Sequence, residues 1–184
     1  NKAGHLSYCS IVNKKMAGDS SSPSSSSSTS KDDLNFFCDK VLQIASKIRF
    51  VGLANHLGTL IASSYRHNLI PLLTREETSR YVLQSVLRSA TREDFESKLG
   101  RQEYSIGKYR NVIRATIPLI YIEDDSTIDN QKVVIGDDDE TKRNKVKFYL
   151  LLSFDVDYGV QQAIETKILP FINENIRIFS TYSR

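Results

Sequence analysis

The chain has 184 residues, of which 40% are hydrophobic and 26% are charged. This length fits one domain with appendages better than two domains, and the composition excludes collagen-like, coiled-coil and fully disordered chains. The 25 Lys and Arg residues exceed the 22 Asp and Glu residues by a net charge of +3. That excess is too small to indicate a dedicated nucleic-acid-binding protein.

The sequence contains no predicted signal for export or for membrane insertion. The longest strongly apolar stretches, 117–122 and 148–154, are far shorter than the roughly 18–20 residues that cross a bilayer. Residues 6–12 lack the apolar core of a secretory signal. Two distant cysteines, Cys9 and Cys38, do not make a disulfide framework and suit a reducing compartment. We therefore predict a cytoplasmic protein without a membrane partner.

The first 30 residues are predicted to be a disordered leader. Nine of the eleven residues from 20 to 30 are serine, and such a tract buries too little apolar surface to offset its ordering entropy. The only methionine is Met16, which suggests the hypothesis that residues 1–15 precede the natural start. The folded domain is predicted to span 31–176, with 177–184 as a tail.

The first predicted helix follows Asp32 or Asp33, either of which can cap it. Two β-favouring runs follow at 49–55 and 59–66, and the short connection between them carries Gly58, a hairpin signal. The helix itself is indicated by one apolar stripe at helical period, formed by Leu34, Phe37, Cys38, Val41, Ala45 and Ile48. Because free cysteines are commonly core residues, Cys38 is predicted to be buried and inert.

A second helix is predicted over 76–90, after a capping box that runs from Thr74 to Glu77. Another box at 91–94 predicts a separate short helix that ends at Gly100. The apolar face of the longer helix is predicted to consist of Val82, Leu83, Val86, Leu87 and Ala90.

Three further strands are predicted at 102–106, 109–122 and 147–155, with a turn near Gly107. The last strand is apolar on both sides, so it is predicted to lie in the centre of a sheet that is covered on both faces.

The segment 123–144 carries eight acidic and three basic residues, a net charge of −5, and is predicted to be a solvated loop. A last helix is predicted after Asp157, which can cap it, and Pro170 is predicted to kink or shorten this helix.

This order, α-β-β-α-β-β-β-α, resembles the roadblock and profilin-like architecture, to which PAS-like sensor domains are similar in shape. The resemblance is carried by an aliphatic strand, a short Gly-bearing turn and a second strand that ends in small residues: IRFVGLAN, HLG and TLIAS at 48–63. The chain is also similar to an uncharacterised family of ammonia-oxidising archaea over roughly 32–176. The implied fold is an α+β domain with a five-stranded antiparallel sheet and helices on both faces.

The roadblock resemblance implies a non-enzymatic intracellular scaffold or regulatory domain that binds a protein partner, with a small GTPase as a candidate. It also implies a homodimer through the 76–90 helix and the 102–106 strand, since an edge strand without Pro or a bulge invites pairing. One alternative is a PAS-like sensor that holds a small ligand between the sheet and the second helix. A weaker alternative is a nucleic-acid-associated module.

No catalytic residue, cofactor or metal site is predicted. The three histidines have no Cys or carboxylate at metal-ligand spacing, and no Gly-rich phosphate loop or nucleophile elbow occurs. Acidic residues at 137–140 and at Asp155 and Asp157 could hold a hard cation, but a solvated loop and, for Asp157, a helix cap explain them more simply.

The one candidate site is a basic and aromatic cluster at strand ends, which could accept an anion or an acidic partner. It consists of Arg66, Lys108, Tyr109, Arg110 and Arg114. The acidic segment 123–144 could fold over this cluster and screen it. Ordinary surface charge at strand ends is the simpler interpretation of the same residues.

Overall fold

Residues 28–122 and 145–179, which the computed structural model describes, form one antiparallel sheet with helices on both faces. In chain order the elements are α1 Ser28–Gln43, β1 Ile48–Asn55, β2 Leu60–Tyr65, α2 Arg75–Glu93, α3 Glu96–Leu99, β3 Ser105–Lys108, β4 Ile113–Ile122 and β5 Lys145–Phe154. A C-terminal segment follows, made of α4 Val160–Ala163, a π-helical turn Ile164–Ile168, α5 Leu169–Glu174 and a 3₁₀ turn Ile176–Phe179. The predicted fold class is confirmed, and the predicted acidic loop at 123–144 lies outside the described residues.

The strands lie in the order β2-β1-β5-β4-β3, with every neighbouring pair antiparallel. The predicted central position of the last strand is therefore confirmed, because β5 occupies the middle of the sheet. Successive side chains of a strand point to opposite faces, and both Leu150 and Leu151 of β5 are buried. The sheet is thus covered on both sides along its centre.

The first face of the sheet, which we call the aliphatic face, packs against α1 and the C-terminal segment. Four members of the predicted α1 stripe are buried on the helix: Leu34, Phe37, Cys38 and Val41. The other two lie beyond its end at Gln43, with Ala45 half-buried in the connection and Ile48 buried as the first residue of β1. Burial raises the pKa of the Cys38 thiol to about 12, which keeps the thiol protonated and inert. Alternate residues of the central strands contribute Val51, Leu53, Ile117, Leu150 and Leu152 to this core.

The C-terminal segment differs from its prediction at the start. Asp157 does not cap it, because the helix begins at Val160 and no side chain caps its first turn. The predicted interruption at Pro170 takes the form of a π-helical turn just before it, in which the N–H of Leu169 donates to the carbonyl of Ile164. Pro170 has no N–H to donate, so the helix changes its hydrogen-bond pattern where the proline requires it.

The second face is covered by α2, whose first capping box is confirmed. The N–H of Thr74 donates to Glu77 Oε2 at 2.8 Å, and the N–H of Glu77 donates to Thr74 Oγ1 at 3.2 Å. The second predicted box is wrong, because α2 continues to Glu93 and Thr91 Oγ1 donates to the Arg88 carbonyl instead. The short α3 ends at Gly100, at φ +77°, as predicted.

The predicted 102–106 strand and the turn at Gly107 are corrected by the structure. The strand is β3 at 105–108, and Gly107 lies inside its ladder opposite Arg114. The chain reverses two residues later, where the Tyr109 N–H donates to the Val112 carbonyl at 2.9 Å. Glycine is a common turn residue, but here a tight turn over 109–112 closes the hairpin without it.

Candidate functional site

The second face of the sheet, which we call the α2 face, is divided into an apolar half and a polar half. Val82 and Val86 of α2 pack on Phe50, Ala54, Tyr149 and Leu151, which belong to β1 and β5. The part of β3 and β4 next to their connecting turn instead presents small or polar residues to the same side, which the pairing register identifies as Ser105, Gly107, Arg114 and Thr116, and Pro118 and Ile120 follow them farther along β4. The helix therefore covers only half of this face with apolar side chains.

A cleft of about 100 Å³ lies between α2 and the β3–β4 hairpin. We call it the cationic cleft, because three arginines line it and none of its lining residues is acidic. It is lined by Tyr81, Ser85, Arg88, Arg92, Ser105, Ile106, Gly107, Tyr109, Arg114 and Thr116. Residues at positions 81, 85, 88 and 92 recur at helical period, so one side of α2 supplies the helical wall.

Two of the arginines are held in place by Tyr81 and its neighbour Ser85. Arg114 Cζ lies 3.9 Å from the centroid of the Tyr81 ring, and Arg88 Cζ lies 5.6 Å from the same centroid. Arg88 Nη2 also donates to Ser85 Oγ at 3.1 Å. Burial raises the pKa of Tyr81, against the opposing effect of Arg114, so the phenol stays neutral at physiological pH.

Arg66, the first residue of the predicted cluster, is paired within the protein. Its Nη1 and Nη2 donate to Asp155 Oδ2 and Oδ1 at 2.8 and 3.2 Å, while Arg49 Nη1 donates to Oδ1 at 3.0 Å. Arg66 Nη1 also donates to the Ser46 carbonyl at 2.8 Å. The hydrogen bonds from Arg66, helped by those from Arg49 and opposed by burial, lower the pKa of Asp155.

The other residues of the predicted cluster lie across the sheet from Arg66. Lys108, Tyr109 and Arg110 are exposed around the β3–β4 turn, and Tyr109 and Arg114 line the cationic cleft. Since β2 and β3 are opposite edge strands, four spacings of roughly 4.8 Å place Arg66 about 19 Å from Lys108. The role of these residues in binding an anion or a partner stays a prediction.

The sequence analysis missed Tyr81, Arg88 and Arg92. Their spacing places them on one side of the helix, which is a usable signal. The apolar stripe of the same helix is the stronger pattern and predicts only the buried side. The predicted apolar stripe is itself divided, because Val82 and Val86 are buried whereas Leu83 and Leu87 are 43% and 55% exposed.

The free edge of β3 lies beside the cationic cleft. Only β4 pairs with β3 in the described sheet, and Ile106 at its centre is 40% exposed. Among the described residues, no three His, Cys, Asp or Glu side chains are grouped to hold a metal ion. The helices in this part of the chain include none that is long and apolar enough to cross a membrane.

Comparison with known proteins identifies the fold. No family model and no curated protein match the chain. Among solved structures, the gliding protein MglB from Thermus thermophilus is 10% identical with a TM-score of 0.54, and MglB from Myxococcus xanthus is 15% identical with a TM-score of 0.52. Each alignment covers 82% of this chain and 90% of that chain.

A third structure, described as MglB with tetrameric arrangement, is 11% identical with a TM-score of 0.55 over 82% of this chain and 90% of that one. The chain has a roadblock-like fold, which confirms the prediction from its hairpin and element order. The resemblance to an archaeal family stays a prediction.

Proposed function

We propose that the protein is a non-enzymatic regulatory scaffold that forms a homodimer and binds a protein partner, for which a small GTPase is the candidate. The observation that carries the proposal is the open edge of β3 beside an incompletely covered α2. Two such edges can pair antiparallel about a twofold axis, which would extend the sheet and bring two α2 helices onto the same face.

The free edge has the properties that favour strand pairing. β3 contains no proline, its pairing with β4 is regular, and its centre carries the exposed Ile106. Natural proteins usually protect a free edge with a short strand, a charged residue, a bulge, a proline or a covering element. β3 is short and carries Lys108 as its one charged residue, but it has neither a bulge nor a proline.

The exposed part of α2 supports the same proposal. Leu83 and Leu87 are large apolar residues on the solvent side of a helix, with Leu57 of the β1–β2 turn also 67% exposed. An added Cβ at Gly58 would lie 2.7 Å from Leu83 Cδ1, so this turn packs against the helix beside Leu83. An apolar surface of this kind is suited to a second subunit or to a protein partner.

The comparison with MglB supports association without defining it. A protein of similar fold is described with a tetrameric arrangement, which indicates that this architecture presents surfaces for assembly. We extend that property to the present chain as a proposal.

The spaces around α2 favour a scaffold over a sensor. A ligand-binding pocket of a sensor usually encloses roughly 300–1,000 Å³, whereas the space bounded by Phe50, Thr78 and Arg114 has about 20 Å³. A larger groove of about 520 Å³ lies along the outer edge of β2 and is open to solvent. Neither space is a pocket of that size closed between the sheet and α2, and the cationic cleft of about 100 Å³ is also below that range.

The dimer is tested by light scattering of the purified chain at tens of micromolar. We expect twice the monomer mass for the wild type. The control variant Ile70→Glu should keep that mass, because it places a charge on a residue that is 85% exposed and that follows β2, the edge strand opposite to β3. Ile106→Glu and Leu87→Glu should shift the mass toward the monomer, because a desolvated charge opposes association. A monomeric wild-type protein rules the proposal out.

The partner is sought by native mass spectrometry of the protein isolated from its own host. A complex with a copurified protein whose mass includes a guanine nucleotide supports the GTPase proposal. A dimer that retains a small organic molecule and no protein partner favours the sensor alternative.

A further inference from the structure

The cationic cleft concentrates positive charge that the described protein does not neutralise. Arg88 and Arg92 extend from α2 and Arg114 from β4, and none of the three forms an ion pair with a carboxylate in residues 28–122 or 145–179. Elsewhere on the same domain, carboxylates pair with bases: Asp155 with Arg49 and Arg66, and Glu93 with Lys147.

The arrangement of these charges costs free energy unless an anion is present. Arg88 and Arg114 approach the same Tyr81 ring at 5.6 and 3.9 Å. Their guanidinium carbons therefore lie within about 10 Å of each other, a separation at which salt of 0.1 M screens their repulsion only in part. The quadrupole of the Tyr81 ring offsets part of this repulsion through cation–π contacts, and a bound anion would offset the rest.

We propose that the cationic cleft binds the phosphoryl group of a small molecule, either inorganic phosphate or a phosphate monoester. Arginine is suited to this group because its planar fork of donors matches two phosphate oxygens at once. The hydroxyl groups of Ser105, Tyr109 and Thr116 lie around the same space and supply further donors. A carboxylate would use fewer of these donors, because it presents two oxygens, whereas a phosphate monoester presents three terminal oxygens and inorganic phosphate presents four.

The size of the cleft limits what it holds. Its volume of about 100 Å³ is well below the roughly 300 Å³ at which pockets for whole small molecules begin. The cleft therefore suits a phosphoryl group, and any larger ester portion of the ligand lies outside it. The cleft opens beside the exposed Tyr109, whose ring an apolar ester group would contact.

The proposal is tested by titrating the full chain with inorganic phosphate and with phenyl phosphate at constant ionic strength. Isothermal calorimetry measures the affinity, and amide chemical shifts of Ser105 and Gly107 report whether binding is local to the cleft. We expect saturable binding of phosphate, with a Kd of about 1 mM or below. Equal affinities assign inorganic phosphate as the ligand class, and tighter binding of phenyl phosphate assigns a monoester.

Three variants distinguish a built site from general attraction of anions to a basic surface. Arg114→Gln and Arg92→Gln should each weaken phosphate binding about tenfold or more, the effect of losing one charge-assisted hydrogen bond. Arg80→Gln, an exposed arginine of α2 outside the cleft, should leave the affinity unchanged. Because Arg92 is exposed, its variant keeps the test valid if Arg114→Gln does not fold.

The proposal is overturned by an absence of saturable binding up to about 10 mM phosphate, or by an Arg80→Gln variant that weakens binding as much as Arg92→Gln does. It does not depend on the proposed dimer, because all lining residues of the cleft belong to one chain. A monomer that binds phosphate would contradict the dimer proposal and support the phosphate site.

Discussion

The two faces of the sheet are built on different principles although the same strands form both. The aliphatic face buries branched residues of β1, β4 and β5 beneath α1 and the C-terminal segment, so its side chains are surrounded by other apolar atoms. The α2 face rests on a few apolar contacts around Val82 and Val86, and its other half holds arginines, hydroxyls and glycine. The aliphatic face therefore contributes most of the stability, and the α2 face provides the surfaces available for recognition.

This difference has a physical origin in the number of elements that cover each face. The aliphatic face is covered by α1 and by the whole C-terminal segment, and burial of apolar area is worth roughly 25 cal/mol per Å². The α2 face has one long helix, which cannot cover five strands, since adjacent strands are about 4.8 Å apart and a helix is about 10 Å wide. The uncovered strip beside β3 is therefore available for polar residues.

The largest expected effect compares two neighbouring leucines of β5 on opposite faces. Leu150→Ala, on the aliphatic face, should destabilise the protein by about 4 kcal/mol, and Leu151→Ala, on the α2 face, by about 2 kcal/mol. Both side chains are almost fully buried, so the difference between the two losses of unfolding free energy reports how far each face can collapse around the missing atoms. Urea unfolding of the wild type and the two variants measures these losses. Equal losses would contradict the proposed difference between the two faces.

A smaller effect is expected from adding one methyl group on the α2 face. A Cβ at Gly52 would lie 2.6 Å from Phe50 Cζ and 2.9 Å from Leu60 Cδ1, so Gly52→Ala should cost about 1–3 kcal/mol through overpacking. The matched control is Gly107→Ala in β3, where the nearest atom is Tyr109 Cε2 at 3.5 Å. Thermal unfolding should show a clear loss for the first variant and almost none for the second.

The parts of the fold that the sequence predicts are those in which periodicity and turn chemistry agree. The α1 stripe, the Gly58 hairpin and the central apolar β5 each show a pattern strong enough to define both an element and its buried side. The β3 strand was misplaced because Gly107 is a common turn residue, whereas its role is to pair with Arg114. Only the pairing register reveals that role, because the position of Gly107 in the ladder depends on residues of another strand.

The candidate site was predicted in part, for a similar reason. Arg114 and Tyr109 were selected from the sequence, but their partners Tyr81 and Arg88 come from α2, more than twenty residues earlier. Arg66 was selected with them because it also ends a strand, and its bidentate pairing with Asp155 depends on β2 and β5 both flanking β1. The order of the strands determines which charged side chains form ion pairs, and the sequence pattern does not define that order.

The smallest expected effect concerns that ion pair, which fixes the start of the connection from β2 to α2. Because the pKa of Asp155 is lower in the folded than in the unfolded chain, its carboxylate stabilises the fold above about pH 3.9, the unfolded pKa. This contribution is lost as the pH falls from there toward the folded pKa. Asp155→Asn should therefore cost about 1 kcal/mol at pH 7, a value between those of exposed and buried charged pairs.

The pH dependence separates this role from a simple loss of packing. The difference in unfolding free energy between Asp155→Asn and the wild type should decrease as the pH is lowered below about 4. Asp157→Asn, at the exposed Asp157 two residues later, provides the control and should follow the wild type at every pH. A deficit of Asp155→Asn that stays constant down to about pH 2, well below the unfolded pKa, would show that the carboxylate acts through its shape, and that the connection to α2 is held by other contacts.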